Sequence, residues 1–148
     1  MFGTMPRGVQ AYAKVGLETS AVAASPHELI VMLFDGAMVA LSNARGHMKA
    51  GRIADKGKSI SHAIAIINDG LRACLDKKAG GGIANNLDGL YQYMTNRLLQ
   101  ANLSNSPEML DEIHTLLSDL RDAWVSIGKK PADASTATSN AAQILTSA

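Results

Sequence analysis

The chain has 148 residues, 47% of them hydrophobic but only 4% aromatic, with a formal net charge of +1 at pH 7. This length suits one domain whose core needs no staple, and a core so poor in aromatics must be built from Leu, Ile, Ala and Met, which favours helices. Near-neutral charge excludes electrostatic capture of nucleic acid by the chain as a whole, and the single cysteine, Cys74, excludes an internal disulfide and reads as a small core residue in a reduced compartment.

Residues 1–24 carry no strong period and read as an irregular N-terminal arm. No charged start followed by an apolar block marks a signal peptide, and no run of about 18 apolar residues marks a membrane span. "ASPHELIVMLFDGA", 24–37, has a His-Glu pair beside an apolar run. A zinc-protease helix needs a second His four residues after the first, and Val31 stands there. The stretch is instead a helix start. Ser25 suits the N-cap, Pro26 the first helical position, and Glu28 completes a capping box. The first predicted helix runs from about Pro26 to Lys49, with Ile30, Leu33, Phe34, Ala37, Leu41, Ala44 and Met48 at 3,4 spacing, and Gly51 closes it. "GRIADKGKS", 51–59, resembles a phosphate-binding loop, but five residues separate Gly51 from Gly57 where four are needed, and no strand precedes it.

The second helix is predicted from about Ile53 to Asp76 on Ile60, Ile64, Ile67, Leu71 and Cys74, with Ala63 and Leu75 beside them. "KKAGGG", 77–82, reads as a loop. The third runs from about Ile83 to Leu103, with Leu87, Leu90, Tyr91, Met94, Leu98 and Ala101 inward. Ser106-Pro107 caps the fourth, which reaches about Gly128 on Leu110, Ile113, Leu117, Leu120, Trp124 and Ile127. Residues 129–148 are small and polar, a tail in which Ile144 and Leu145 can form a helical turn. Short connections make neighbours antiparallel. The predicted fold is all-α: an up-down four-helix bundle over 25–128, with an arm at 1–24 and a tail at 129–148.

No motif for catalysis or a cofactor emerges. A di-iron bundle needs Glu-x-x-His pairs, but Val31, Asp111 and Thr115 follow Glu28, Glu108 and Glu112 at that distance. A histidine phosphotransfer bundle, the alternative function, would work through His62 or His114, yet neither has the Lys and small residue that such a site wants on the same face. Basic residues from Arg45 to Lys58 (Arg45, Lys49, Arg52, Lys56, Lys58) and acidic ones on the last helix (Glu108, Asp111, Glu112, Asp119, Asp122) read as two solvated faces. Gly36, Gly70 and Gly89 stand mid-helix at about 1 kcal/mol each against Ala. Gly89 lies away from the core stripe, which leaves two readings: a tolerated glycine or a close approach of a partner's backbone.

Several stretches together resemble the flagellin export chaperone family, FliS. They are "AYAKVGLETS", "ASPHELIVMLFDGA", "ISHAIAIINDGLRACLD", "IANNLDGLYQYMTNRLLQAN" and "LRDAW", in order over roughly residues 10–128. The chain departs at Phe34, where the family often has Tyr. The resemblance implies a cytoplasmic bundle that is no enzyme and takes no cofactor or metal. Such a bundle holds the disordered C-terminal segment of flagellin, prevents premature polymerisation, and connects this cargo to the cytoplasmic domain of the flagellar export gate, without inserting in the membrane. It leaves room for a homodimer when cargo is absent. A partner helix needs an apolar groove, for which the candidates are Ile66, Leu75, Ile83, Leu90, Tyr91, Tyr93 and Met94. By the same resemblance the arm covers that groove in the absence of cargo, at Tyr12, Val15 and Leu17; permanent packing of the arm on the bundle is the other reading of those residues.

Overall fold

The computed structural model describes residues 25–129. The arm, with Tyr12, Val15 and Leu17, and the tail beyond Lys129 lie outside the described residues. Four helical segments follow one another: α1 (Pro26–Lys49), α2 (Ile53–Ala65, extended by further turns to Cys74), α3 (Lys77–Ser104) and α4 (Pro107–Lys129). Each packs against its neighbours in sequence, and α4 returns against α1, closing the ring of an antiparallel bundle.

The capping signals work as the sequence implies. Ser25 Oγ accepts from the Glu28 N–H at 3.2 Å, and Glu28 Oε1 accepts from the Ser25 N–H at 3.2 Å, so two orphan donors of α1 are satisfied reciprocally. Ser106 Oγ accepts from the Met109 N–H at 3.3 Å ahead of Pro107. Gly51, at φ +74°, turns the chain out of α1. The core is filled by Leu33, Leu41, Ile60, Ile66, Ile67, Met94, Leu98, Leu110, Ile113 and Leu117, all fully buried. Burial of each such side chain contributes about 1.5–3 kcal/mol. Ala37, Ala40 and Ala44 of α1 and Ala63 of α2 are buried as well, and their small volume lets α1 and α2 lie close. By composition α1 is long and apolar enough to cross a bilayer, with a mean hydropathy of 1.3, but here its apolar stripe is the centre of the core.

Three expectations are corrected. The second helix is not continuous to Asp76: a π turn occupies Ile66–Leu71, a 3-10 turn Arg72–Cys74, and Leu75 is extended. The widened turn points two adjacent pairs inward, Ile66 with Ile67 and Gly70 with Leu71, all four buried. The "KKAGGG" stretch is not a loop. Asp76 Oδ1 accepts from the N–H groups of Lys78 and Ala79, which nucleates one helical turn. The break falls at Gly81 alone, whose φ of 52° and ψ of −128° interrupt α3. Lys56 does not belong to a solvated basic face, being only 4% exposed. Its ammonium donates to the Asn102 carbonyl and to Asn105 Oδ1, each at 3.1 Å, and so satisfies the carbonyl end of α3, where a cation is favoured.

Polar clasps cross three seams of the ring. Arg45 meets Asp111 and Arg121 meets Asp35 between α1 and α4; Arg72 meets Asp88 between α2 and α3; Arg97 and the Tyr93 hydroxyl both meet Glu112 between α3 and α4. Being partly exposed, each contributes little stability alone, and together they tie neighbouring helices across these seams.

Candidate functional site

At one end of the bundle an apolar groove of ≈ 410 Å³ opens between all four helices. The start of α1 supplies Ile30 and Phe34. The end of the second helical segment supplies Leu71 and Cys74, and Leu75 and Asp76 follow in the link. The start of α3 supplies Ala79, Gly80, Ile83, Ala84, Leu87 and Tyr91, and the end of α4 supplies Leu120, Ala123, Trp124 and Ile127. Phe34, Leu71, Tyr91 and Leu120 are buried and make the floor. Leu75, Leu87, Trp124 and Ile127 are half-buried and Ile83 is 36% exposed, so these form walls and rim.

The helix breaks build this shape. After the 3-10 turn the chain is extended at Leu75 (ψ 132°) and re-enters a helix at Lys77 only for one turn before Gly81. Ala79 and Gly80 on that turn wall the groove without filling it. On the opposite side the His27 ring stacks on Trp124, with centroids 5.2 Å apart and planes 11° from parallel. The Trp124 indole N–H donates to the His27 carbonyl at 3.2 Å, so the polar edge of the indole is satisfied on α1. Among the described residues, the ionisable side chains on the lining are Asp76, Cys74 and Tyr91. Burial pushes the Tyr91 phenol well above its ordinary range, so it stays a neutral phenol at any physiological pH.

Of the predicted groove residues, Leu75, Ile83 and Tyr91 come together here. Leu90 packs half-buried against the core beside them. Ile66 and Met94 are at 0% exposure and belong to the interior: Ile66 because the π turn swings it inward beside Ile67, Met94 because it follows Tyr91 by three on the inner stripe of α3. Tyr93 is 42% exposed and stands elsewhere, on the α3–α4 face, where its hydroxyl bonds Glu112. The 3,4 spacing places Phe34, Leu71, Leu120, Trp124 and Ile127 in the core; Phe34, Leu71 and Leu120 are indeed buried there and also floor the groove, while Trp124 and Ile127 wall it. Their period is right, but at this end of the bundle each stripe runs on past the side chains that would fill the space opposite it. The aromatic Trp124 at the end of its stripe was the one available signal.

No group of three or more His, Cys, Asp and Glu side chains among the described residues is arranged to hold a metal ion. His62 is exposed on α2 and His114 half-buried on α4.

A family profile described as "Flagellar protein FliS" matches residues 8–131. The chain belongs to the FliS family. It is 50% identical over 123 residues to the flagellar secretion chaperone FliS of Salmonella typhimurium strain LT2, covering 83% of this chain and 91% of that one. It is 43% identical over 118 residues to the FliS chaperone of Escherichia coli K12 (80% and 87% covered) and 41% identical over 123 residues to that of Vibrio cholerae (83% and 90%). The match spans the whole bundle and part of the arm, so every element that walls the groove lies within the FliS unit.

Proposed function

We propose that the chain is a cytoplasmic export chaperone, without enzymatic activity or cofactor. It binds the disordered C-terminal segment of flagellin, prevents its premature polymerisation and delivers it to the cytoplasmic domain of the flagellar export gate. The observation that carries this reading is the groove. Its lining is almost wholly apolar, it is open at the surface, and all four helices build it, as the apolar side of a partner helix requires. Membership of a family whose relatives are named as secretion chaperones supports it. Among the groove residues Leu75, Ile83 and Tyr91 meet the cargo directly, with Leu90 beside them. Tyr93 offers a separate contact on the α3–α4 face. Ile66 and Met94 are core residues and make no contact with cargo in this reading.

In the absence of cargo the arm covers the groove through Tyr12, Val15 and Leu17. The arm joins α1 at Ser25, close to the groove residue Ile30, so the competing segment is tethered at the site it covers. Part of the cargo's binding energy then goes into displacing it, which lowers the apparent affinity and guards an apolar surface. Pairing of two copies is the other way to cover the same surface.

Calorimetric titration of the full chain with a peptide of about 40 C-terminal flagellin residues tests the reading, a length able to wrap a surface of this size. Stoichiometric binding with a large negative heat-capacity change is expected, and removal of residues 1–24 should tighten it. No heat and no complex by sizing, with the bundle folded, would remove the chaperone reading. Solution mass without cargo separates a covering arm (monomer) from pairing (dimer).

A further inference from the structure

The first turn of α1 and the last turn of α4 touch at His27 and Gly128. A Cβ placed on Gly128 would lie 2.1 Å from His27 Nε2 and 2.5 Å from both Cδ2 and Cε1. The imidazole therefore rests directly on the Gly128 backbone, while its face is stacked on Trp124. His27 does not line the groove, but Trp124 does. The indole is thus held twice from α1, by the ring of His27 and by its carbonyl.

We propose that His27 is a positioning residue for the groove. Pinned between Trp124 and the backbone of Gly128, its ring fixes the orientation of the indole that a cargo helix meets. The proposal rests on the reading of the groove as the cargo site. An indole locked before binding presents its apolar surface without losing rotamer freedom at the moment of association, and preorganisation of that kind strengthens binding. Glycine at 128 has its own reason in this arrangement. In an exposed helical position Ala would ordinarily be favoured over Gly, yet here a methyl group would displace the ring.

Near-ultraviolet circular dichroism and fluorescence read the arrangement directly, since Trp124 is the one tryptophan in the chain. The full chain and its His27→Ala, Gly128→Ala and doubly substituted forms are titrated with a tryptophan-free flagellin C-terminal peptide. Each single substitution should weaken binding about 3- to 10-fold, the scale of one lost aromatic contact, and should collapse the tryptophan near-ultraviolet signal with far-ultraviolet helix content unchanged. Gly128→Ala should add nothing once His27 is already Ala, because the clash is then gone, so the two effects are strongly non-additive. Additive effects, or an unaltered signal and affinity in His27→Ala beside a wild-type chain that binds, would overturn the proposal. A wild-type chain that binds no peptide fails the groove reading itself, before any variant is compared. Should one single variant lose helix, the other decides by the same two readouts.

Discussion

Two glycines with the same apparent cost in sequence have opposite meanings in the fold. A Cβ on Gly70 would lie 2.8 Å from Cδ2 of Leu33, and Leu33 is fully buried, so its methyl can shift only against packed core. A Cβ on Gly89 would meet nothing within 4 Å. Gly70→Ala should therefore destabilise the bundle, since overpacking of about 1–3 kcal/mol outweighs the helix preference of about 1 kcal/mol that Ala brings. Gly89→Ala should gain about that 1 kcal/mol and raise Tm by roughly 4 °C for a domain of this size. Thermal unfolding of the two variants checks both, and the same sign of change in both would refute the packing account. If Gly89→Ala also weakened flagellin binding, the close approach of a partner backbone would be the reason for that glycine. The outward face of Gly89 was legible from its place off the core stripe, but the contact at Gly70 was not, because a glycine's neighbours are set by other helices. Lys56 teaches the same lesson: its charge suggested solvent, but the carbonyl end of α3 stands over it.

At the scale of elements, what depends on local periodicity was legible and what depends on an element's neighbours was not. The 3,4 spacing of Leu110, Ile113, Leu117 and Leu120, and of Leu33, Phe34, Ala37, Leu41, Ala44 and Met48, marks faces that are indeed buried; Ser25-Pro26 and Ser106-Pro107 mark real helix starts. The π turn at Ile66–Leu71 escaped because an apolar run such as "IAII" satisfies an ordinary helix equally well, and only the core decides that both Ile66 and Ile67 go inward. Leu75, Ile83 and Tyr91 of the groove were legible, but the share of α1 and α4 in it was not, because membership of a stripe does not say whether a partner stands opposite it at the bundle's end. The one-turn start of α3 escaped because three successive glycines outweigh one good cap. That turn is joined to the rest of α3 only through Gly81. Gly81 holds φ 52° and ψ −128°, a combination that costs an L-residue about 1–3 kcal/mol. In Gly81→Ala the cheapest response is to give up the turn Lys77–Gly80 and keep α3 from residue 82 onward. Hydrogen exchange should show lost protection at Gly80, whose N–H bonds the Asp76 carbonyl at 2.7 Å, with little change in global unfolding and with weaker cargo binding. Retained protection there would mean the glycine geometry is not what holds the turn.

For the whole molecule, three seams of the ring each contain a carboxylate whose acidity the fold has changed in the same direction. The hydrogen bond from Arg72 holds Asp88 below the usual carboxylate range, that from Arg45 does the same for Asp111, and the Tyr93 hydroxyl, with Arg97, lowers Glu112. Each folded-state value lies below its unfolded value, so the unfolded chain takes up protons first as pH falls. The stabilisation from these groups is thus complete above about pH 5 and is lost as pH drops through 4 and below. Solvent screens all three, so each loss is modest alone, but they act on the α2–α3, α1–α4 and α3–α4 seams together. Urea midpoints measured from pH 7 to pH 3 should stay level to about pH 5 and then fall. Glu112→Gln should lower the midpoint at pH 7, because Arg97 loses its partner, and should approach wild type as pH falls through the lowered folded-state range of the carboxylate it replaces. High salt should narrow the same gap at pH 7. A midpoint that rises between pH 5 and pH 3, or a Glu112→Gln offset that persists unchanged to pH 3, would show that the bundle is held in register by its apolar core alone and that the clasps contribute nothing.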